Sequence, residues 1–143
     1  MNPPVDKMLQ IERSLSQERG EFRLFALFLR EESPDRWDLV VSAPWMEQDF
    51  RGSIDQVARK LQQDLTVDEI TTLSRITLID SGNPELAAIL STFSTVHNDI
   101  EIIDRVFFGL AIKHGHIITS QLLTEDTAWL RLKTEPERKD QPA

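Results

Sequence analysis

The chain has 143 residues, no cysteine and a formal net charge of −8, with 40% hydrophobic and 28% charged residues. This length and composition predict one globular domain with its own core, and they exclude disulfides, thiolate metal sites and cysteine nucleophiles. The acidic balance and the scattered arginines and lysines disfavour nucleic acid and anionic membranes as partners. No targeting segment is visible and no apolar run approaches the ~20 residues of a membrane-spanning helix, so a cytoplasmic location is expected.

The first part of the chain predicts a helix followed by a hairpin. Apolar residues recur at helical spacing after two prolines, and Gly20 is a suitable helix end. Residues 21–30 are apolar on both faces of an extended strand, which predicts a central strand covered on both sides. Residues 36–43 place Trp37, Leu39, Val41 and Ala43 on one face of an extended strand. This segment is predicted to be the antiparallel partner of the first strand.

The middle of the chain predicts a loop, helices and a strand. Residues 44–52 are interpreted as a loop, after which Ser53 opens a helix with a capping pattern. A short helix begins at Thr66, and residues 75–80 form a strand. Asn83, followed by proline and glutamate, is a strong start for a further helix.

The last third predicts a second hairpin. Residues 106–112 and 117–123 alternate as strands, with the His114-Gly115 pair as the tip between them. Histidine tolerates the positive φ that such a tip requires better than most residues. Residues 128–133 are a candidate edge strand that ends a single domain of residues 1–133, and residues 134–143 are a charged tail.

These elements predict a single-domain α+β fold. It consists of a mostly antiparallel sheet of five or six strands with helices packed on it. The five glycines form no phosphate-binding loop, and no nucleophile elbow, kinase signature or zinc-protease signature is present. The common nucleotide and hydrolase motifs are therefore excluded, and no cofactor is predicted outright.

Histidines and carboxylates gather around segment 97–104. His97 and Asp99 in this segment, with His114 and His116 a short distance on, are candidate ligands for a divalent metal ion such as zinc, iron or manganese. On an extended strand His114 and His116 would share a face, an interpretation that competes with the hairpin tip. Their spacing matches no established ligand motif, so the metal site is the alternative hypothesis.

Two acids and a lysine suggest a metal-dependent nuclease. Asp38, Asp80 and Lys113 lie on or beside predicted strands, where the acids would hold Mg²⁺. Ala111 stands where such an arrangement needs an acid, and the acidic net charge opposes DNA binding. Asp38 is therefore interpreted as a solvated strand residue and Asp80 as a turn former.

Large apolar side chains lie near a strand end and in the C-terminal segment: Trp45, Met46, Phe50 and Trp129. These residues either form an adaptable recognition surface or cap the core. Because no catalytic motif is assembled, the favoured hypothesis is a non-enzymatic protein-interaction or regulatory module, with self-association as a homodimer as one form.

Two further functions remain as alternatives. The first is a small metal-dependent hydrolase or nuclease that uses the histidines and acids named above. The second is a small-molecule-binding domain, with the ligand resting where Gly109 and Ala111 allow close approach to the backbone. The same small residues also suit a closely packed helix.

Overall fold

The structure is a computed structural model that describes residues 3–123. Within this range the helices are α1 Val5–Arg19, α2 Pro44–Gln48, α3 Phe50–Asp64, α4 Val67–Ile70 and α5 Pro84–Thr92, and the strands are β1 Leu24–Arg30, β2 Trp37–Ser42, β3 Leu73–Leu78, β4 Ile100–Phe107 and β5 Leu110–Ser120. Trp129, the candidate strand 128–133 and the tail 134–143 lie outside the described residues.

The strands form one five-stranded sheet with the order β3-β2-β1-β5-β4. β1 pairs antiparallel with β2 and β5, and β4 pairs antiparallel with β5, whereas β2 and β3 run parallel. The α+β prediction is confirmed, and the sheet is mixed. β1 occupies the middle of the sheet because its side chains are apolar on both faces, as the sequence predicted.

Helices cover both faces of the sheet. On one face α1, α2 and α3 form a core with alternate residues of β1 and β2. On the other face α5 packs against the remaining residues of β1 and against β4 and β5. The prediction of helices packed on the sheet is confirmed, and both faces are covered because the central strands are apolar on both sides. Among the described residues, no helix has both the length and the apolar character needed to cross a bilayer.

The turn of the second hairpin is not where the sequence predicted it. β4 begins at Ile100, and the chain reverses at Phe108 and Gly109, which have φ values of 55° and 75°. Positive φ at both central residues is the requirement of the favoured two-residue hairpin turn. The backbone N–H of Phe108 donates a 2.6 Å hydrogen bond to Glu85 Oε1, which ties the turn to α5. The predicted tip at His114-Gly115 is wrong, because both residues lie within β5.

Segment 44–52 is helical and not a loop. α2 begins at Pro44, and α3 begins at Phe50, three residues before the predicted start at Ser53. Asp49 provides the N-cap of α3 by accepting a hydrogen bond from the backbone N–H of Gly52. Aspartate is as good an N-cap as serine, and the earlier cap adds a turn to the helix.

Candidate functional site

The β4–β5 hairpin brings two histidines and two carboxylates together. His114 and His116 lie two residues apart on β5, so their side chains share one face of the strand, and their ring centroids are 4.9 Å apart. Gly115 between them is buried on the opposite side, where an added Cβ would lie 2.8 Å from Cγ1 of Ile102. We call Asp99, Glu101, His114 and His116 the hairpin site.

A buried tryptophan supports both imidazoles. Trp37, at the start of β2, is fully buried, and its ring centroid lies 5.3 Å from that of His114 and 5.5 Å from that of His116. His114 and Trp37 both pair with Leu29 of β1, so the three residues form a row across the sheet. Aromatic rings at these distances pack favourably, and the indole therefore restricts the positions of the two imidazoles.

Each histidine of the hairpin site has its own carboxylate. The Nε2 atom of His114 lies 2.5 Å from Oε2 of Glu101. The Nδ1 atom of His116 lies 3.0 Å and 3.2 Å from the two carboxylate oxygens of Asp99. Glu101 also stands directly opposite His116 in the register of the hairpin. One ligand atom each from Glu101, His114 and His116 lies within 4.8 Å of the other two.

The hairpin site borders a pocket of about 560 Å³. Glu101, His114 and His116 form one wall, and the first turn of α1 and Glu69 of α4 form the rest. Lys7 on that turn donates a 2.8 Å hydrogen bond to Oε1 of Glu69. This bond, with the hydrogen bond from the backbone N–H of Thr66, holds the pKa of Glu69 below its ordinary value. The lining of the pocket therefore includes an ion pair between Lys7 and Glu69.

His97 does not join the hairpin site. Its Nδ1 donates to Oε1 of Glu12 at 2.5 Å, and its Nε2 lies 3.4 Å from Oε1 of Glu21. Glu12 is fully buried, and its other oxygen accepts hydrogen bonds from Thr119 at 2.8 Å and from Ser16 at 3.2 Å. These contacts join α1, β5 and the segment before β4. The buried carboxylate therefore accounts for the position of His97 without a metal ion.

The three residues of the nuclease hypothesis are not assembled. Asp38 pairs with Arg75 across the parallel strands β2 and β3, and Asp80 lies five residues beyond Arg75, or about 16 Å along the strand. Asp80 is a turn former as predicted, because its Oδ1 accepts from the backbone N–H of Gly82. Lys113 is exposed on β5.

Asp38 corrects the prediction of a solvated residue. It is only 3% exposed, because it faces the core under α5, and its Oδ2 accepts a 2.7 Å hydrogen bond from Arg30. Burial lowers the pKa of Arg30, but its bonds to Glu32 and Asp38 outweigh this effect and the pKa lies above its ordinary value. The oxygen Oδ1 of Asp38 has no hydrogen-bond partner within the described part of the chain.

Two of the three described residues of the candidate recognition surface lie in the core. Trp45 is 7% exposed and donates from Nε1 to the backbone carbonyl of Gly20, and Met46 is fully buried. Phe50 differs, with 56% of its surface exposed. The core-capping interpretation therefore describes Trp45 and Met46.

The small residues of the third hypothesis do not form a covered face. Gly109 lies in the hairpin turn, where an added Cβ would meet nothing within 4 Å. Ala111 is exposed on β5. Neither residue lines the pocket at the hairpin site.

Glu101 and Glu12 were not among the candidate residues named from the sequence. The pattern Asp99-x-Glu101 has the same two-residue period as His114-x-His116, which is the signal expected when two neighbouring strands present ligands on one face. Glu12 interrupts the apolar stripe of α1 between Ile11 and Leu15, so its helical position predicts burial. In the first case the signal is the two-residue spacing of polar residues along a strand. In the second it is the position of a polar residue within the apolar stripe of a helix.

No protein-family model, no curated protein sequence and no solved structure matches this chain. The function must therefore be argued from the geometry of the hairpin site and of the surfaces around it.

Proposed function

We propose that this protein binds a divalent transition-metal ion at the hairpin site through Glu101, His114 and His116. The observation that carries the proposal is the convergence of three ligand atoms, one from each side chain, within 4.8 Å of one another. Imidazole nitrogen together with carboxylate oxygen suits zinc and its first-row neighbours, whereas Ca²⁺ and Mg²⁺ prefer oxygen ligands alone. Zinc is the metal ion with which to test the proposal.

The surroundings of the three ligands favour a site with one open position. Three protein ligands and an exchangeable fourth position are typical of catalytic zinc centres, whereas structural centres have four protein ligands. The pocket of about 560 Å³ borders all three ligands and leaves room for water or a small molecule at that position. Held by these three side chains, a metal ion would supply Lewis-acid chemistry and would lower the pKa of a bound water towards 7. The reaction class that such a site supports is hydrolysis.

Metal binding requires one local rearrangement. Two ligand atoms bound to tetrahedral zinc at about 2.0–2.1 Å lie about 3.3 Å apart. The 2.5 Å contact between His114 Nε2 and Glu101 Oε2 is shorter than this, so a metal ion bound by these two atoms would replace that hydrogen bond. Glu101 is an exposed residue on the outer strand of the sheet, and a shift of about 0.8 Å needs only rotation of its side chain.

Simple ion pairing is the competing explanation of the cluster. Cross-strand histidine–carboxylate pairs on a surface contribute at most about 1 kcal/mol each and bind no metal. The two explanations differ in what happens when zinc is added, because a ligand that binds the native state raises the midpoint of unfolding. If the cluster consists only of ion pairs, adding zinc leaves the midpoint of unfolding unchanged.

The test is isothermal titration calorimetry of zinc into chelator-stripped protein. We expect one zinc ion per chain, and His114→Ala, His116→Ala and Glu101→Gln each to weaken binding by about 10-fold or more, since even residues that only support ligands have effects of 10–100-fold. Glu21→Gln is the matched control, because it removes a carboxylate from the other histidine–glutamate cluster. Absence of heat above dilution, or equal affinity in His116→Ala and wild type, would refute the proposal.

A protein-interaction role is the second candidate, and the outer strand carries it. β4 lies at the edge of the sheet, and its Ile103 and Val106 are 63% and 69% exposed. An edge strand with exposed apolar side chains is a natural pairing site for another chain. Size-exclusion chromatography with light scattering tests self-association, and a dimer that Ile103→Lys dissociates while Val67→Lys does not would support it. Val67 is an apolar residue on α4 that is 78% exposed.

A further inference from the structure

We infer that Asp99 is a positioning residue of the hairpin site: it holds His116 in the tautomer with a proton on Nδ1 and thereby keeps Nε2 available to bind a metal ion. The inference deepens the proposed metal site and rests on it for its purpose. The tautomer itself is a property of the metal-free protein and can be measured there.

The hydrogen bond to Asp99 decides which nitrogen of His116 carries the proton. Both oxygens of Asp99 lie within hydrogen-bond distance of Nδ1, at 3.0 Å and 3.2 Å. An ionised carboxylate can only accept, so the neutral imidazole must place its single proton on Nδ1. The lone pair is then on Nε2, which forms no hydrogen bond within the described residues.

The surroundings keep this arrangement fixed. The side chain of His116 is 12% exposed, its ring lies against buried Trp37, and it borders the pocket. Asp99 does not line the pocket and reaches His116 from the start of β4. A metal-binding histidine commonly donates its second ring nitrogen to a carboxylate in this way, which fixes its tautomer and raises its basicity.

The two histidines of the hairpin site therefore differ in whether Nε2 is already hydrogen-bonded. His116 presents Nε2 without breaking any hydrogen bond, whereas the Nε2 of His114 is bound to Glu101. Metal binding through Nε2 of both histidines would replace the hydrogen bond between His114 and Glu101, and it would leave the hydrogen bond between His116 and Asp99 intact. Asp99 thus acts on metal affinity through His116, without being a ligand.

The experiment compares Asp99→Asn with Asp104→Asn. An amide is a weaker acceptor than a carboxylate and can also donate to Nδ1, which favours the opposite tautomer. Asp104 lies on β4, outside the hairpin site, and asparagine tolerates its φ of 52°. Two-bond ¹H–¹⁵N spectra of histidine-labelled, metal-free protein at mildly alkaline pH report the tautomer of His116, and zinc titration reports affinity.

We expect wild type and Asp104→Asn to show the Nδ1–H tautomer, and Asp99→Asn to lose it and to bind zinc about 10–100-fold more weakly. Urea unfolding of the three proteins should agree closely, which separates positioning from folding. A predominantly Nε2–H tautomer in wild type overturns the inference whether or not zinc binds. An unchanged zinc affinity in Asp99→Asn overturns it as well. The expected tautomer without any zinc binding in wild type refutes the metal site and leaves Asp99 as a purely structural partner, which also overturns the positioning role.

Discussion

Replacement of the buried carboxylate Glu12 is the most direct test of how α1 is fixed to the sheet. Glu12→Ala removes the acceptor of three hydrogen bonds, donated by His97, Thr119 and Ser16. A buried donor that loses its acceptor costs about 1–3 kcal/mol. Ser16 can rotate towards a helix carbonyl, and His97 keeps its contact with Glu21. The expected cost is therefore less than that of three hydrogen-bond donors left without an acceptor.

The expected loss in the free energy of unfolding is about 3–5 kcal/mol for Glu12→Ala, the range found when one partner of a buried pair is removed. Glu12→Gln keeps the volume and one acceptor oxygen, so its expected loss is about 1–3 kcal/mol. Both are large fractions of the ~5–15 kcal/mol that stabilises a typical domain. Gln17→Ala, an exposed position on the same helix, is the control and should stay within about 0.5 kcal/mol of wild type.

Urea unfolding at neutral pH, followed by tryptophan fluorescence, measures all three variants. The account requires the order Glu12→Ala, Glu12→Gln, Gln17→Ala from least to most stable. If Glu12→Ala were within about 1 kcal/mol of wild type, the carboxylate would not hold α1, β5 and the segment before β4 together, and the assignment of His97 as a structural residue would fail.

Three further predictions concern packing and pH. Gly115→Ala should lower the free energy of unfolding by about 1–3 kcal/mol, because its Cβ would lie 2.8 Å from Ile102; equal urea midpoints would contradict this contact. Met46→Ala should lower it by about 2–5 kcal/mol while Phe50→Ala should change it by less than about 1 kcal/mol, and the reverse order would show that segment 44–50 is wrongly described. Glu69→Gln should be less stable than wild type at pH 7. Since the folded pKa of Glu69 lies below its ordinary value of 4.5, this difference should persist above that pH and disappear as the pH falls through the lowered pKa; a difference that persists at pH 2 would contradict it.

Local patterns predicted the central part of the sheet. Residues 21–30 and 36–43 contain β1 and β2, because the two-residue period of a strand is a signal that each segment itself carries. The parallel pairing of β2 with β3 joins segments separated by three helices, and no residue in either strand specifies that neighbour. Pairings of this kind depend on packing between distant segments.

The second hairpin was misplaced because two candidate turns competed. His114-Gly115 satisfies the residue preference of a hairpin tip better than Phe108-Gly109, since a bulky residue at positive φ is unfavourable. In the structure the turn at Phe108 is compensated by the hydrogen bond to Glu85 on α5 and by contact with the core under that helix. Tertiary contacts therefore override the local preference.

The residues of the hairpin site were predicted only in part. Asp99, His114 and His116 were identified as candidate ligands and do converge, whereas Glu101, in the same segment 97–104, was not among the named candidates. His97 has the right chemistry, but its neighbour Glu12 lies 85 positions away in the chain. Sequence spacing alone cannot reveal a contact of that separation.

The most direct test of the metal site is a crystal grown with one equivalent of zinc, with diffraction measured on both sides of the zinc absorption edge. We expect a single strong anomalous peak about 2.0–2.1 Å from nitrogens of His114 and His116 and from an oxygen of Glu101, with Asp99 still bound to Nδ1 of His116. A map without a peak at the hairpin site, or with its peak beside Glu12 and His97, would contradict it.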